Sequence, residues 1–368
     1  MIFWIENSKF VSYDQLLQDI KKGKSQEKIP GYNYFLKLML ELLEGYNPNS
    51  IDEIIKHFIA NKDTLSFEIH TSGTTSTSKS IKVRMENCIR HVKLNTKKEK
   101  KVWGMGYPAG SFASTQVFFQ SFINRETIFY LFGMNFNCSE KVLSQHEITN
   151  LTCTPTFLSM LLIHLKSIQP SVKKITTGGE KITENLIQLS KNKFINAEYI
   201  NIYASTETGS LLYSNTEFFS IPDKYKHLLK IEGGTLHVQK SLLNSIQENE
   251  QENEWFNTND IVEWIDHSQF RFVSRSNGYL NTGGYRISPS EIEETLLKIN
   301  NIIDVHVYGK PNSLLGTIVC ADVIGKNIDS KNIKKEMMKI TDKQKIPQVI
   351  RVVESFEHVS NGKKRLMI

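Results

Sequence analysis

Four cysteines in 368 residues (Cys88, Cys138, Cys153 and Cys320) are too few and too scattered to staple a disulfide scaffold. No Cys-x-x-Cys occurs and the histidines stand singly, so the usual zinc-ligand spacings are excluded. Long apolar runs are missing too. The opening Met1-Ile2-Phe3-Trp4-Ile5 ends at Glu6 with no basic segment ahead of it, which fits neither a secretory leader nor a membrane span. Charge of one sign is in small excess: 45 basic against 39 acidic side chains leave +6. That balance suits anionic small ligands or an acidic partner, and equally a plain solvated surface. A nucleic-acid binder or membrane protein is not expected; a cytoplasmic protein with reduced thiols is. What the chain does have is an ordinary globular composition, 39% hydrophobic and 23% charged, at a length sufficient for more than one domain.

Before Asp63 the pattern reads as helical. Tyr13, Leu16, Leu17 and Ile20 follow a 3.6-residue stripe, and Tyr34, Leu36, Leu38, Met39, Leu42 and Leu43 form a second apolar stretch. Leu65–Ile69 then alternates as a strand does. Up to about Ile200, strand-like runs (Glu126–Phe132, Leu151–Thr154, Lys174–Thr177) alternate with helix-like ones, of which Leu158–Leu165 behind Pro155 is the clearest. This alternation predicts an α/β sheet. A second region opens near Arg275. Ser288-Pro289-Ser290-Glu291 reads as a helix start with Ser288 as cap and Pro289 in the first turn. Strands over Val305–Tyr308, Ile318–Val323 and Val349–Val353 and a basic helix over Ser330–Lys339 complete a small α+β unit, while Glu248–Asn253 reads as a polar turn. The expected division is 1–274 and 275–368.

The strand at Leu65–Ile69 runs into Thr71-Ser72-Gly73-Thr74-Thr75-Ser76-Thr77-Ser78-Lys79-Ser80. Small hydroxyl residues around a glycine allow a tight loop whose N–H and O–H donors converge on one anion. The lysine adds a compact charge for phosphate oxygens. Alone, the stretch also fits a Ser/Thr-rich linker, or a Walker loop with Ser78 in place of its second glycine. Six more stretches follow. They are Ile148-Thr149 with Cys153-Thr154-Pro155; Gly178-Gly179-Glu180; Asn201-Ile202-Tyr203-Ala204-Ser205-Thr206-Glu207; Trp255-Phe256-Asn257-Thr258-Asn259-Asp260; residues 275–293, with Arg275, Asn277, Gly284, Arg286, Pro289 and Glu291; and Gly362-Lys363-Lys364-Arg365. Each alone has a plainer reading as a turn, a strand end, a helix start or a cationic tail.

In this order, from about Phe67 to Arg365, the set resembles the motifs of the adenylate-forming (AMP-binding) superfamily. Acyl-CoA synthetases, peptide-synthetase adenylation domains and luciferases are its members. The resemblance implies a large N-terminal α/β domain with a reduced first subdomain, and a small α+β lid joined by a hinge. It further implies that ATP and Mg²⁺ activate a small carboxylic acid, with CoA or phosphopantetheine as acceptor. Thr71, Ser72, Gly73, Thr74, Thr75 and Lys79 would then hold the ATP phosphates. Gly179, Glu180 and Tyr203 would border the adenine, Asp260 would accept the ribose hydroxyls and Arg275 would bind ribose or phosphate. The catalytic set implied is Thr206 on the α-phosphate, Glu207 on Mg²⁺ and Lys363 between carboxylate and α-phosphate oxygens. Asn277 falls on the hinge and Gly284 on the path of the thiol.

Ser76, Ser78, Ala204 and Asn259 replace residues the family usually has as glycine or proline. Asn259 is tolerable because asparagine visits positive φ readily. The uncharged Asn277 predicts looser control of the lid. Only about seventy residues precede the phosphate loop, fewer than relatives carry. Gly110–Phe122 is expected to line the acyl pocket, with core packing an equal alternative for its aromatics. Three functions are compatible with the set: an acyl- or aryl-CoA ligase, a ligase charging an acyl carrier protein, or a non-catalytic nucleotide-binding relative.

Overall fold

Asn7 and Ser8 both take positive φ (49° and 65°), the backbone a two-residue hairpin turn requires, so the chain opens as a hairpin. The computed structural model describes residues 1–25, 27–71, 79–97, 99–244, 254–275, 280–282, 285–312, 316–354 and 356. The hairpin strands β1 (Ile2–Glu6) and β2 (Lys9–Ser12) correct the helical reading of everything before Asp63. Five apolar residues cut off by a turn are too short a run to show a period, and Phe3, Trp4 and Ile5 are all buried. Three helices do follow: α1 (Tyr13–Lys22), α2 (Pro30–Leu42) and α3 (Ile51–Ala60). Ser12 and Ser50 cap α1 and α3 by accepting from Gln15 N and Glu53 N, and Gly23 at φ 68° closes α1.

Next come β3 (Ser66–Thr71), β4 (Lys79–Arg84), α4 (Met85–Ile89), β5 (Val102–Gly106), α5 (Phe112–Ile123), β6 (Thr127–Tyr130) and α6 (Ser139–Gln145). They are followed by β7 (Asn150–Cys153), α7 (Pro155–His164), β8 (Lys174–Gly178), α8 (Glu184–Lys193), β9 (Glu198–Ser205) and β10 (Gly209–Ser214). Eight of these strands form one sheet in the order β10-β9-β8-β7-β5-β6-β1-β2. Its six inner strands run parallel and the outer two, β10 and β2, pair antiparallel; the alternation of strands and helices had predicted an α/β sheet. Helices cover both faces. Phe118 and Phe122 of α5 join the core that holds Phe3, Met105 and Ile128, whereas Leu158 and Leu161 of α7 join the one that holds Phe129, Leu151 and Ile175. The chain therefore leaves the neighbouring strands β5 and β7 toward opposite faces. Such a switch point opens a crevice at the carboxyl ends of the strands, the usual ligand position in open α/β sheets.

Among the described residues, one compact unit holds 1–217 and 240–244, and a second holds 218–239 and the chain from 254 onward. The second unit contains an antiparallel sheet of β11 (Leu229–Glu232), β12 (Thr235–Gln239), β13 (Trp255–Trp264) and β14 (Phe270–Arg275). A short hairpin, β15 (Leu280–Thr282) with β16 (Tyr285–Ile287), leads into α9 (Pro289–Leu297). The strands β17 (Ile302–Asn312), β18 (Gly316–Gly325) and β19 (Val349–Val352), with α10 (Ser330–Ile340), complete the expected α+β part. Val305, Val307, Val319, Ala321 and Ile350 from the strands pack with Ile292, Leu296, Ile333 and Met337 from α9 and α10. No described helix is long and apolar enough to cross a membrane.

Candidate active site

Two loops leave the neighbouring strands β8 and β9 at their carboxyl ends. Gly178 pairs with Ile202, and a Cβ on it would come within 3.0 Å of the Ile202 carbonyl oxygen. Gly179 holds φ at 84°, so both glycines answer a backbone demand. The Glu180 carboxylate accepts from Thr156 N at 2.9 Å. Thr154 caps the same helix, α7, through Phe157 N at 3.1 Å, with Pro155 in the first turn. Glu180 thus faces the positive end of α7, a duty the sequence reading missed. It also ties the loop after β8 to the first turn of α7, beside the switch point.

Tyr203 lies half-buried in β9, and Thr206 and Glu207 occupy the turn into β10. Ser205 closes that turn by accepting from Thr208 N at 3.2 Å. Arg90 grips its exit, donating to Thr208 O at 2.7 Å and Ser210 O at 3.2 Å. The Thr206 hydroxyl and Glu207 carboxylate are half-buried and meet no hydrogen-bond or ion-pair partner among the described residues. Beneath the loops, Tyr107 and Cys153 are buried. Burial pushes both well above their usual ranges, so neither serves as a base or nucleophile near neutral pH. No cluster of three or more His, Cys, Asp or Glu that could hold a metal occurs among the described residues. A single carboxylate such as that of Glu207 would suit Mg²⁺, whose remaining positions would go to water and substrate phosphate.

The hairpin β3–β4 runs in register from Ser66 opposite Arg84 to Thr71 opposite Lys79, so the ends of the expected phosphate loop are adjacent. The loop residues Ser72, Gly73, Thr74 and Thr75, and Ser76 and Ser78 with them, lie outside the described residues. So do the side chains of Thr71, Lys79 and Arg275, the turn at Glu248–Asn253, and Asn277, Gly284 and Lys363.

In the second unit Asp260 of β13 stands opposite Arg275 of β14 and is buried. Asn259 holds φ at 61°, so the asparagine does occupy a left-handed position. Its N–H donates to Asn257 Oδ1 at 2.7 Å, and Thr258 Oγ1 accepts from Asp260 N at 3.1 Å. One expectation needs correction. Ser288 occupies the cap position of α9 with Pro289 behind it, but its buried hydroxyl makes no cap bond. Of the two readings left open for the α5 aromatics, core packing holds for Phe118, Phe119 and Phe122, each fully buried in the first core.

Comparison with known proteins agrees with this geometry. The chain matches the AMP-binding enzyme family over residues 7–234 and the AMP-binding enzyme C-terminal domain over 291–363. It is 24% identical over 322 residues to 2-succinylbenzoate–CoA ligase of Listeria monocytogenes, covering 80% of this chain and 67% of that one. Bacitracin synthase 3 of Bacillus licheniformis is 22% identical over 87% of this chain and 6% of its own. Among solved structures, o-succinylbenzoate CoA synthetase of Bacillus subtilis with its acyl-adenylate intermediate superposes with TM-score 0.61 at 17% identity, covering 98% of this chain and 81% of that one. ATP-bound MatB of Rhodopseudomonas palustris gives 0.59 at 17%, covering 80% and 65%. The chain thus spans about two thirds of the length of the Listeria ligase and of MatB. With more than half its residues matched by the first of the two domains, the chain belongs to the AMP-binding enzyme family.

Proposed function

We propose that the chain activates a small carboxylic acid with ATP and passes the acyl group to the thiol of CoA. The observation that carries this reading is the Thr206–Glu207 turn. A hydroxyl and a carboxylate, both half-buried and unpaired among the described residues, follow a strand whose neighbour ends in Gly178-Gly179-Glu180. In the first half-reaction a carboxylate oxygen bonds to the α-phosphorus, the bond to the β-phosphate oxygen breaks and pyrophosphate leaves. Such a transfer asks for positioning and charge neutralisation more than for acid–base groups. Thr206 donates to an α-phosphate oxygen, and Thr71 to Thr75 with Lys79 hold the departing pyrophosphate. Glu207 holds Mg²⁺, which when bound neutralises phosphate charge. Gly179, Glu180 and Tyr203 border the adenine, while Asp260 and Arg275 take the ribose. Lys363 steadies carboxylate and α-phosphate oxygens as charge develops. In the second half-reaction the thiolate attacks the acyl carbon and AMP departs. Residues 275–368 act as a lid about Asn277 and admit the thiol past Gly284. The cytoplasm, where ATP and CoA are held, suits this chemistry.

ATP–pyrophosphate exchange across a panel of carboxylic acids tests the reading. Exchange with one acid class, followed by a CoA thioester, is expected, and Lys363→Ala should lose exchange while still thiolysing a supplied acyl-adenylate. No exchange with any acid would refute the activity and leave a nucleotide-binding relative. A carrier-protein acceptor is the second reading, favoured by similarity to a peptide synthetase over 87% of the chain. Exchange without a CoA thioester would select it.

A further inference from the structure

Behind a 3₁₀ turn at Lys240–Leu242 the chain passes under the Thr206–Glu207 turn. There Asn244, only 1% exposed, donates from its backbone N–H to Glu207 O at 2.6 Å and from its side-chain amide to Thr206 O. The neighbouring Leu243 carbonyl accepts from Arg84 Nη2 and Asn87 Nδ2, each at 3.4 Å. Arg84 ends β4, the strand that leaves the phosphate loop. We infer that Asn244 is a positioning residue. It fixes the carbonyls of Thr206 and Glu207, so that hydroxyl and carboxylate project from one backbone geometry, and it links their turn to the phosphate-loop hairpin. The assignment rests on the proposed ATP chemistry for its consequence, but the anchoring itself does not.

Two observations separate this role from ordinary packing. The two donors serve consecutive carbonyls in a turn whose own side chains are left available, which is what a support for ligands does and a core contact need not do. The amide Oδ1 is buried with no hydrogen-bond partner, so an apolar side chain of similar volume removes an unsatisfied acceptor together with the donor. Asn244→Leu should therefore fold with a near-parental Tm.

The test uses the full chain. In pyrophosphate exchange, Asn244→Leu should lower kcat about 10- to 100-fold, leave the KM for the acid unchanged, and raise the Mg²⁺ midpoint about tenfold. A purely structural residue would reduce the active fraction and Tm and leave that midpoint alone. Amide exchange of the 204–210 segment, measured without ligand, should quicken about tenfold in the variant. If the parent chain shows no pyrophosphate exchange, the activity reading has failed, and amide exchange alone decides the anchor; parental protection then overturns it. In an active enzyme, parental kcat and Mg²⁺ midpoint overturn it whatever the amides do. Asn244→Ser repeats both measurements should the leucine variant misfold.

Discussion

Replacing Phe118 by leucine should cost stability and leave acid selectivity unchanged. The ring is fully buried and has four aromatic neighbours. It stacks on Phe35 at 4.5 Å and on Phe122 at 5.9 Å, and meets Phe119 and Phe3 edge-on at 5.2 and 5.8 Å. Truncation to alanine would cost about 3–5 kcal/mol, too large a part of a typical total of about 5–15 kcal/mol to leave a manageable protein. Leucine keeps most of the volume and forfeits the ring pairs, each worth about 0.5–1.5 kcal/mol. Because two of the four contacts lie near 6 Å, a net loss of about 1–3 kcal/mol follows. Urea unfolding reads it as a lower midpoint at an unchanged slope. The ratio of kcat/KM values across an acid panel should stay within about twofold of the parent. An unchanged midpoint with a shifted acid preference would refute the reasoning and return α5 to the wall of the acyl pocket.

Asn259 holds φ at 61°, so Asn259→Ala should destabilise by about 1 kcal/mol while Asn259→Gly is nearly neutral, as thermal unfolding would show; equal losses would deny the backbone demand. Glu180→Gln removes a charge from the N-terminus of α7 and should cost about 0.3–1 kcal/mol, a difference that shrinks in high salt. Alkaline pH should unfold the protein through its buried phenols. Burial, opposed by the Ala109 N–H and aided by the Glu6 charge, raises the Tyr130 phenol to about 12. The unfolded phenol releases its proton near 10, so this contribution is complete below about pH 10 and lost as pH rises toward 12. Unfolding free energy should stay level near pH 9 and fall above 10; a rise there would contradict it.

The legible parts of this molecule are those where a local backbone demand picks a residue type. Pro155 and Pro289 mark first helical turns, Gly178 and Gly179 sit where a side chain would clash or strain, and Asn259 takes a conformation that asparagine tolerates. The α/β sheet was legible for another reason, since strand and helix periods alternate along the chain. The site's supports were not. Glu180 reaches 24 residues back to Thr156, and Asn244 reaches 38 residues back to Thr206, and no local pattern announces either bond. The strand β1 escaped because its partner β6 lies far along the chain and its first four residues, Ile2 to Ile5, are apolar without alternation. α5 left two readings open for a different reason. Nine of its twelve residues are buried, including Ser114, Thr115 and Ser121, so the helix shows no polar stripe to separate a core face from a ligand face. A helix enclosed on nearly every side conveys burial through its sequence but not what it touches. The role of the α5 aromatics is set instead by distant partners, Phe3 of the hairpin and Phe35 of α2, which pack against Phe118.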